Sequence, residues 1–435
     1  MPKTFFMLAG EASGDGHAAK LITALKTLEA DARFLGLGGP KMAAAGFQAV
    51  KDLDGMQVVG FWEVARKYGF FKRVFYELLD RVKQERPDAL LCVDYPGFNL
   101  RFAREVRKLG IPVLYYIVPQ VWAWKALRAK SMARFVDRAF CVFEFEPPFF
   151  EKFGLRTTFV GHPLIDDCGS QIADCGLKLP PGPQTVAFLP GSRAGEFSAL
   201  APVMAEAFDM AMRAKPDLRA LMSVAPGMPP RIVAKTSHGL LLAALDFQNK
   251  LGDHIGETVR KVKEQAEILW GPVPKDVPPR DSREGEEFNR RWKNFFSVHK
   301  ALGESGVPHA RLLPSLADFS VVKSGTSTLE AGLAGNPMCV VYKSSFISYA
   351  IAHLMVNIPV FSLVNIVLGR YAVPELLQGE ANPCRIAEEI KRGLTDEKYR
   401  EQQKAALAEL PKKLGGPGAS ARAAHGILDF LRGRG

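Results

Sequence analysis

Three groups of residues have the types and the spacing to do chemistry. The first is Val321-Val322-Lys323-Ser324-Gly325-Thr326-Ser327-Thr328-Leu329-Glu330. An apolar strand end runs into a turn of small residues and then into the start of a helical pattern. Such a turn aims free backbone N–H groups and the positive end of a helix at an anion, with Ser324, Gly325 and Thr326 at the point of contact. Glu330 follows where a carboxylate can accept hydrogen bonds from a ribose diol; an ordinary βα turn would read the same way. The second group is Pro190-Gly191-Ser192-Arg193. An arginine directly after a small-residue turn can grip two phosphate oxygens with its planar fork, and a plain surface arginine is the alternative. The third is the apolar strand Ala89 to Val93, which stops at Asp94-Tyr95-Pro96-Gly97-Phe98-Asn99. A carboxylate on the end of a central strand is placed to act as a general base. Asp94 could equally cap the helix that follows.

Other loops keep similar company. The strand Thr4 to Leu8 ends in Gly10-Glu11-Ala12-Ser13-Gly14-Asp15-Gly16-His17, whose glycines suit close approach of a ligand to the backbone. It is not the G-x-G-x-x-G dinucleotide fingerprint. Pro119-Gln120-Val121-Trp122-Ala123-Trp124-Lys125 follows another strand, and its tryptophans read either as a wall packed on the core or as a stacking surface for a sugar. Thr158 to Val160 leads into Gly161-His162-Pro163. Val58 to Leu79 crowds Phe61, Trp62, Phe70, Phe71 and Phe75 among Arg66, Lys67, Lys72 and Arg73. That composition describes a buried helix pair, or a surface that dips into lipid headgroups and holds acyl chains.

The elements that must position these residues alternate strand and helix, which predicts parallel sheets with loops gathered at their carboxyl edges. A polar, Gly- and Pro-rich stretch from Asp166 to Pro183 divides the chain. A second α/β unit opens with the strand Val186 to Leu189, and its first helix is expected from Pro202 to Ala214. The rhythm fails between about Pro226 and Pro308, which predicts an inserted subdomain without a chemical motif. The tail, Glu388 to Leu431, is helical in pattern except at Leu410 to Gly418.

At 435 residues the chain has room for two full cores. Its net charge of +11 favours an anionic partner, yet no basic tail or one-sided basic helix marks a nucleic-acid module. The six cysteines show no C-x-x-C spacing and are expected to be reduced, which suits the cytosol. No stretch reaches the roughly 20 apolar residues of a membrane span, and Glu11 and Asp15 arrive too early for a secretory leader.

Taken together the loops resemble the lipid-A-disaccharide synthase family of membrane-associated glycosyltransferases. The likeness rests on Ala9 to Asp15, Gly36 to Pro40, Pro119 to Trp124, Phe159 to Pro163, Leu189 to Arg193, Ser324 to Glu330 and Val373 to Leu377. It implies a GT-B fold of class α/β, with two Rossmann-like domains facing across a cleft and a C-terminal helical segment that crosses back to the first. The expected division is 1–168 for the acceptor domain, 184–385 for the UDP domain with an insertion at about 226–308, and 386–435 for the tail. The resemblance further implies inverting transfer of 2,3-diacylglucosamine from UDP to 2,3-diacylglucosamine 1-phosphate, with neither metal nor cofactor. Asp94 would then be the base. Gly191, Ser192, Arg193, Ser324, Gly325, Thr326, Glu330 and Asn365 would hold UDP. Glu11, Ser13, Gly14, Asp15, Gln120, Trp122 and His162 would face the acceptor or sugar, and Phe61, Trp62, Phe70, Phe71 and Phe75 the acyl chains. An anionic membrane surface on the cytoplasmic face of the inner membrane is the expected location, and a homodimer is open. One departure is Gly97, where the family commonly carries a second aspartate; another is the length of the insertion. A UDP-N-acetylglucosamine enzyme without a lipid acceptor, or a non-catalytic membrane-surface protein of the same fold, are the competing readings.

Overall fold

A computed structural model describes residues 2–53, 56, 68–124, 126–167, 182–215, 217–224, 243–245, 309–343 and 360–433. The expected insertion, apart from 243–245, and the aromatic residues Phe61 and Trp62 lie outside the described residues. The described chain divides into two compact units. One holds the residues up to Asp166 together with those from Lys412 onward, and the other the described residues from Asp167 to Pro411.

The first unit runs β1 (Thr4–Ala9), α1 (Ala12–Leu28), β2 (Arg33–Gly38), α2 (Pro40–Ala44), β3 (Gln48–Asp52), α3 (Tyr68–Glu85) and β4 (Ala89–Val93). It continues with α4 (Pro96–Lys108), β5 (Val113–Tyr116), α5 (Val121–Trp124), α6 (Leu127–Met132), β6 (Arg138–Cys141), α7 (Glu146–Glu151) and β7 (Thr157–Phe159). Its sheet has the order β3-β2-β1-β4-β5-β6-β7, and every pairing is parallel. Parallel strands are covered on both faces, so the central ones read as unbroken apolar runs. Phe5 to Ala9 and Ala89 to Val93 are accordingly buried along their whole length.

The second unit contains β8 (Thr185–Leu189), α8 (Ala194–Ala214), β9 (Arg219–Val224), β10 (Ala243–Leu245), α9 (His309–Leu316), β11 (Phe319–Lys323) and α10 (Thr326–Leu333). Then come β12 (Met338–Tyr342), α11 (Leu363–Leu368), β13 (Glu375–Leu377), α12 (Pro383–Thr395) and α13 (Glu397–Leu407). Its sheet, again parallel, has the order β10-β9-β8-β11-β12-β13. This is the two-sheet α/β architecture expected from the alternation.

The last helix, α14 (Ala419–Arg432), returns to the first unit and packs on α1. Its face of Ala419, Ala423, Ala424, Ile427 and Leu428 is buried. Gly426 lets it come close, since a Cβ there would stand 2.7 Å from the Phe140 ring. Arg422 ties the approach by donating from Nε to the Val160 carbonyl at 2.8 Å and from its second nitrogen to the Gly415 and Gly416 carbonyls. No described helix is long and apolar enough to cross a membrane.

Each sheet reverses its strand order once. In the first, the reversal lies between β1 and β4; in the second, between β8 and β11. Loops leaving the carboxyl ends at such a point part in opposite directions and leave a crevice, which is where open α/β sheets take ligands. The loops are Gly10–Glu11 and Asp94–Tyr95 in one unit, and Pro190–Arg193 and Ser324–Thr326 in the other.

Candidate active site

At the first reversal the chain does something unusual. Asp94 and Tyr95 both take left-handed backbone conformations, with φ of 47° and 49°. Non-glycine residues there cost on the order of 1–3 kcal/mol each, and such strain collects at functional sites. The turn is held from below. Asn99, fully buried, donates through Nδ2 to the carbonyls of Asp94 at 2.8 Å, Leu8 at 3.2 Å and Val93 at 3.3 Å. The Tyr115 hydroxyl donates to the Asp94 carbonyl at 2.7 Å, and that of Tyr95 to the Met56 carbonyl at 3.0 Å. The Tyr95 ring fills the space beside Gly10, where a Cβ would lie 2.1 Å from it.

The capping alternative fails: Tyr95 is the N-cap of α4, and no side chain caps it. Burial, followed by the negative charge of Glu11, pushes the Asp94 carboxyl up to about 6, against a hydrogen bond from the Tyr95 N–H. A carboxylate so tuned is ionised at neutral pH yet basic enough to accept a proton from a sugar hydroxyl.

The second reversal is cationic. Gly191, at φ 111°, and Gly325, at φ 154°, make turns that side chains would hinder. Arg193 is the N-cap of α8, half exposed, with NH1 3.4 Å from Oε1 of Glu196. Lys323 places Nζ 2.8 Å from the same oxygen. Ser324 is buried, Ser192 and Thr326 are exposed, and Thr328 Oγ1 donates to the Gly325 carbonyl at 2.8 Å to close the turn. Glu330 is nearly buried on α10. Its Oε1 accepts from Arg311 Nε at 3.1 Å, and the same guanidinium donates to Asp167 Oδ2 at 3.0 Å. Burial raises the Glu330 carboxyl, opposed by the Arg311 charge and by hydrogen bonds from Arg311 and Ser327. Among the described residues, no three His, Cys, Asp or Glu side chains gather as a metal would require.

The lipid-A-disaccharide synthetase family matches residues 5–245 and 297–424. A lipid-A-disaccharide synthase of Anaeromyxobacter dehalogenans is 37% identical over 429 residues, covering 98% of this chain and 97% of that relative. The chain belongs to the lipid-A-disaccharide synthase family. The Geobacter sulfurreducens member is 34% identical, with 98% of this chain and 96% of its own length covered. Among solved structures, a UDP-GlcNAc 2-epimerase from Neisseria meningitidis bound to UDP-GlcNAc superposes with a TM-score of 0.54 at 12% identity, covering 98% of this chain and 99% of that one. A calicheamicin glycosyltransferase gives 0.52 at 14% identity, with 99% and 98% covered. At such identities the likeness is one of fold.

Several residues expected at the family's site are occupied elsewhere. Asn365, assigned to UDP, is fully buried: its Oδ1 accepts from the Ala372 and Val373 N–H groups, and its Nδ2 donates to the Val373 carbonyl and Glu375. It knots α11 to β13 and has no capacity left for a nucleotide. Asp15, expected at the sugar, is also interior, with its oxygens on the N–H groups of Gly39, Lys41 and Met42 at 2.9–3.0 Å. It thereby secures the N-terminus of α2. Gly14 is buried beside Ala9 and the Val93 carbonyl, while Glu11 remains at the mouth of the turn and Ser13 is exposed. Gln120 is exposed.

Trp122 reads as a wall. Its indole donates to Glu146 Oε1 at 3.1 Å, and its ring meets Phe145 edge-on at 4.9 Å. Glu146, which carried no signal in the sequence, is fully buried and also accepts from the Val142 and Phe143 N–H groups. Burial pushes its carboxyl up to about 7, opposed by those three hydrogen bonds. His162 packs against Phe143, accepts the Leu164 N–H on Nδ1, and is driven down to about 4 by burial, so it is neutral at pH 7 with its proton on Nε2. In α3, Phe75 packs partly buried against the core, meeting Phe98 and Phe102 edge-on at 5.6 and 5.2 Å. Phe70 and Phe71 are partly buried against the same core. For these residues the buried-helix alternative describes the packing; Tyr76 is the one left 53% exposed.

Proposed function

We propose that the chain is a lipid-A-disaccharide synthase, an inverting glycosyltransferase. It transfers 2,3-diacylglucosamine from UDP to the 6-hydroxyl of 2,3-diacylglucosamine 1-phosphate, making the β-1,6 disaccharide of lipid A and UDP. Family membership over nearly the whole chain supports the reaction. The observation that carries the mechanism is Asp94, held in a strained turn at the sheet's reversal with its carboxyl tuned to about 6.

Asp94 accepts the hydroxyl proton as the acceptor oxygen forms its bond to the anomeric carbon. The bond from that carbon to the diphosphate breaks on the opposite face, and UDP leaves with the electron pair. Arg193 and the N–H groups of the Ser324–Thr326 turn offset the charge that develops on the diphosphate, a contribution of the oxyanion-hole kind. Glu330 accepts from the ribose. Glu11 flanks the sugar by hydrogen bonds to its hydroxyls. The acyl chains and an anionic membrane surface take the aromatic-basic stretch around Phe61 and Trp62. Location on the cytoplasmic face of the inner membrane and homodimer formation complete the reading.

The test is to mix the protein with UDP-diacylglucosamine and diacylglucosamine 1-phosphate and to follow UDP and disaccharide together. Equal release of both supports the reading. UDP without disaccharide, or turnover of non-acylated UDP-N-acetylglucosamine in place of the acylated donor, contradicts it.

A further inference from the structure

Lys323 lies at the end of β11, immediately before the Ser324–Thr326 turn, and its side chain is only 17% exposed. Its ammonium sits 2.8 Å from Oε1 of Glu196, in the first turn of the 21-residue helix α8. Arg193 reaches the same oxygen at 3.4 Å. The other carboxylate oxygen stands 2.6 Å from where a Cβ on Gly191 would be, and the Lys323 ammonium 3.7 Å from the corresponding point on Gly325. The two glycine turns that flank the strand reversal therefore frame one small space. Two cations point into it, and the chain's own carboxylate occupies it.

A carboxylate and a phosphate ask for the same partners: charge-assisted donors and the positive end of a helix. The largely buried Lys323 ammonium with no counter-charge would be costly, since its desolvation is not repaid. Glu196 supplies that counter-charge from three residues away on the same helix as Arg193, so it can swing out without disturbing the sheet.

We infer that Lys323 is a ligand of the substrate's diphosphate and that Glu196 is its placeholder, exchanged for the phosphates when a nucleoside diphosphate enters. This rests on the reading that the 190–193 and 324–326 turns hold the nucleotide. The two residues then have opposite effects on affinity. Removing Lys323 takes away a partner of the phosphates. Removing the charge of Glu196 takes away their competitor, and a protein whose binding-competent form is only partly populated binds more tightly when the competing form is weakened.

The experiment is titration calorimetry of the full chain with UDP and, separately, with uridine, which has no phosphate. Lys323→Met should weaken UDP about 10- to 100-fold, and Lys323→Arg should restore most of it. Glu196→Gln, close to isosteric, should tighten UDP about 3- to 10-fold. Uridine affinity should stay within about twofold in all three. If Glu196→Gln weakens UDP, or Lys323→Met leaves it unchanged, the inference is overturned; the sign for Glu196→Gln decides even where Lys323→Met does not fold. If the unaltered protein binds UDP no better than uridine, or Arg193→Ala leaves UDP affinity intact, it is the underlying placement of the diphosphate that fails.

Discussion

At the end of β4 a carboxylate is held by the backbone, and at the ends of β8 and β11 the charged side chains are held by one another. Asp94 rides on two left-handed residues pinned by Asn99 and Tyr115, so its position is fixed before any substrate arrives. Arg193, Lys323 and Glu196 share contacts on one carboxylate oxygen, and Arg311 bridges Asp167 and Glu330. The difference follows the tasks assigned to each. A general base works only within hydrogen-bonding reach of one proton, so rigidity there serves catalysis. A nucleotide seat must accept and release a diphosphate in every turnover, and side chains that already pair can change partners at little cost.

The sharpest way to break the comparison is Asp94→Asn. Loss of the base should lower kcat on the order of 10²- to 10⁴-fold. Stability should move the other way. The folded-state carboxyl is raised from the ordinary 3.8 to about 6, so the folded protein binds this proton more tightly than the unfolded chain does. That contribution is fully present below pH 4 and is lost as pH rises through about 6, leaving the ionised carboxylate a destabilising group at pH 7. Asparagine carries no charge and tolerates the left-handed region, so the variant should gain roughly 1–3 kcal/mol at pH 7. Thermal unfolding beside turnover checks both halves. A variant both inactive and less stable would show that Asp94 is built into the fold and is not poised against it.

On the other unit the expected sign is reversed. Arg311→Met leaves Glu330 and Asp167 without their shared partner in a nearly buried place. Breaking such a pair from one side costs about 3 kcal/mol, at the lower end of the usual range because the guanidinium keeps some solvent contact. Adding Glu330→Gln and Asp167→Asn should recover much of the loss, which denaturant titration of the single and triple variants would measure. Equal stability of all three would mean that the network contributes only geometry.

How far these arrangements could be read beforehand depends on their range along the chain. The Asp94 and Ser324–Glu330 groups were legible because an apolar run, a small-residue turn and a helical pattern are adjacent in sequence. The start of α8 was not. Pro202 looked like the first helical residue, yet it sits inside a helix that begins at Ala194, which makes Arg193 the N-cap and puts Glu196 in the first turn. Asp15 and Asn365 carry polar side chains in loops of the expected composition, but their partners lie up to 27 residues away for Asp15 and on the next strand for Asn365. Nothing local distinguishes a polar group saturated in the interior from one waiting for a ligand. Edge strands β3 and β13 were missed for a related reason: they are short, and β3 is partly exposed, so their patterns are weak. Glycines show the same limit. Gly10→Ala would drive a methyl group to 2.1 Å from the Tyr95 ring and should cost roughly 1–3 kcal/mol with a matching fall in kcat, whereas Gly97→Ala meets nothing within 4 Å and should change stability by about 0.5 kcal/mol or less. In sequence each is simply a glycine just after a strand end.

The smallest effect expected is also the most specific to the first unit. Two things raise the Asp94 carboxyl, burial first and the charge of Glu11 second. Glu11→Gln removes only the second. The acid limb of the pH–rate profile, with its midpoint near 6 in the unaltered protein, should move part of the way toward the ordinary carboxylate range. Burial still acts, so it should not travel the whole distance. The shape of the profile is the readout, because Glu11 is also proposed to touch sugar hydroxyls and the plateau can fall for that reason alone. Asp94 must be ionised to accept a proton, so a lower value extends activity to lower pH. A midpoint that stays in place would mean that the turn's desolvation alone sets the base. A midpoint that rises would mean that Glu11 supports the ionised form, which would invert the electrostatic contrast between the carboxylate-lined first site and the cation-lined second.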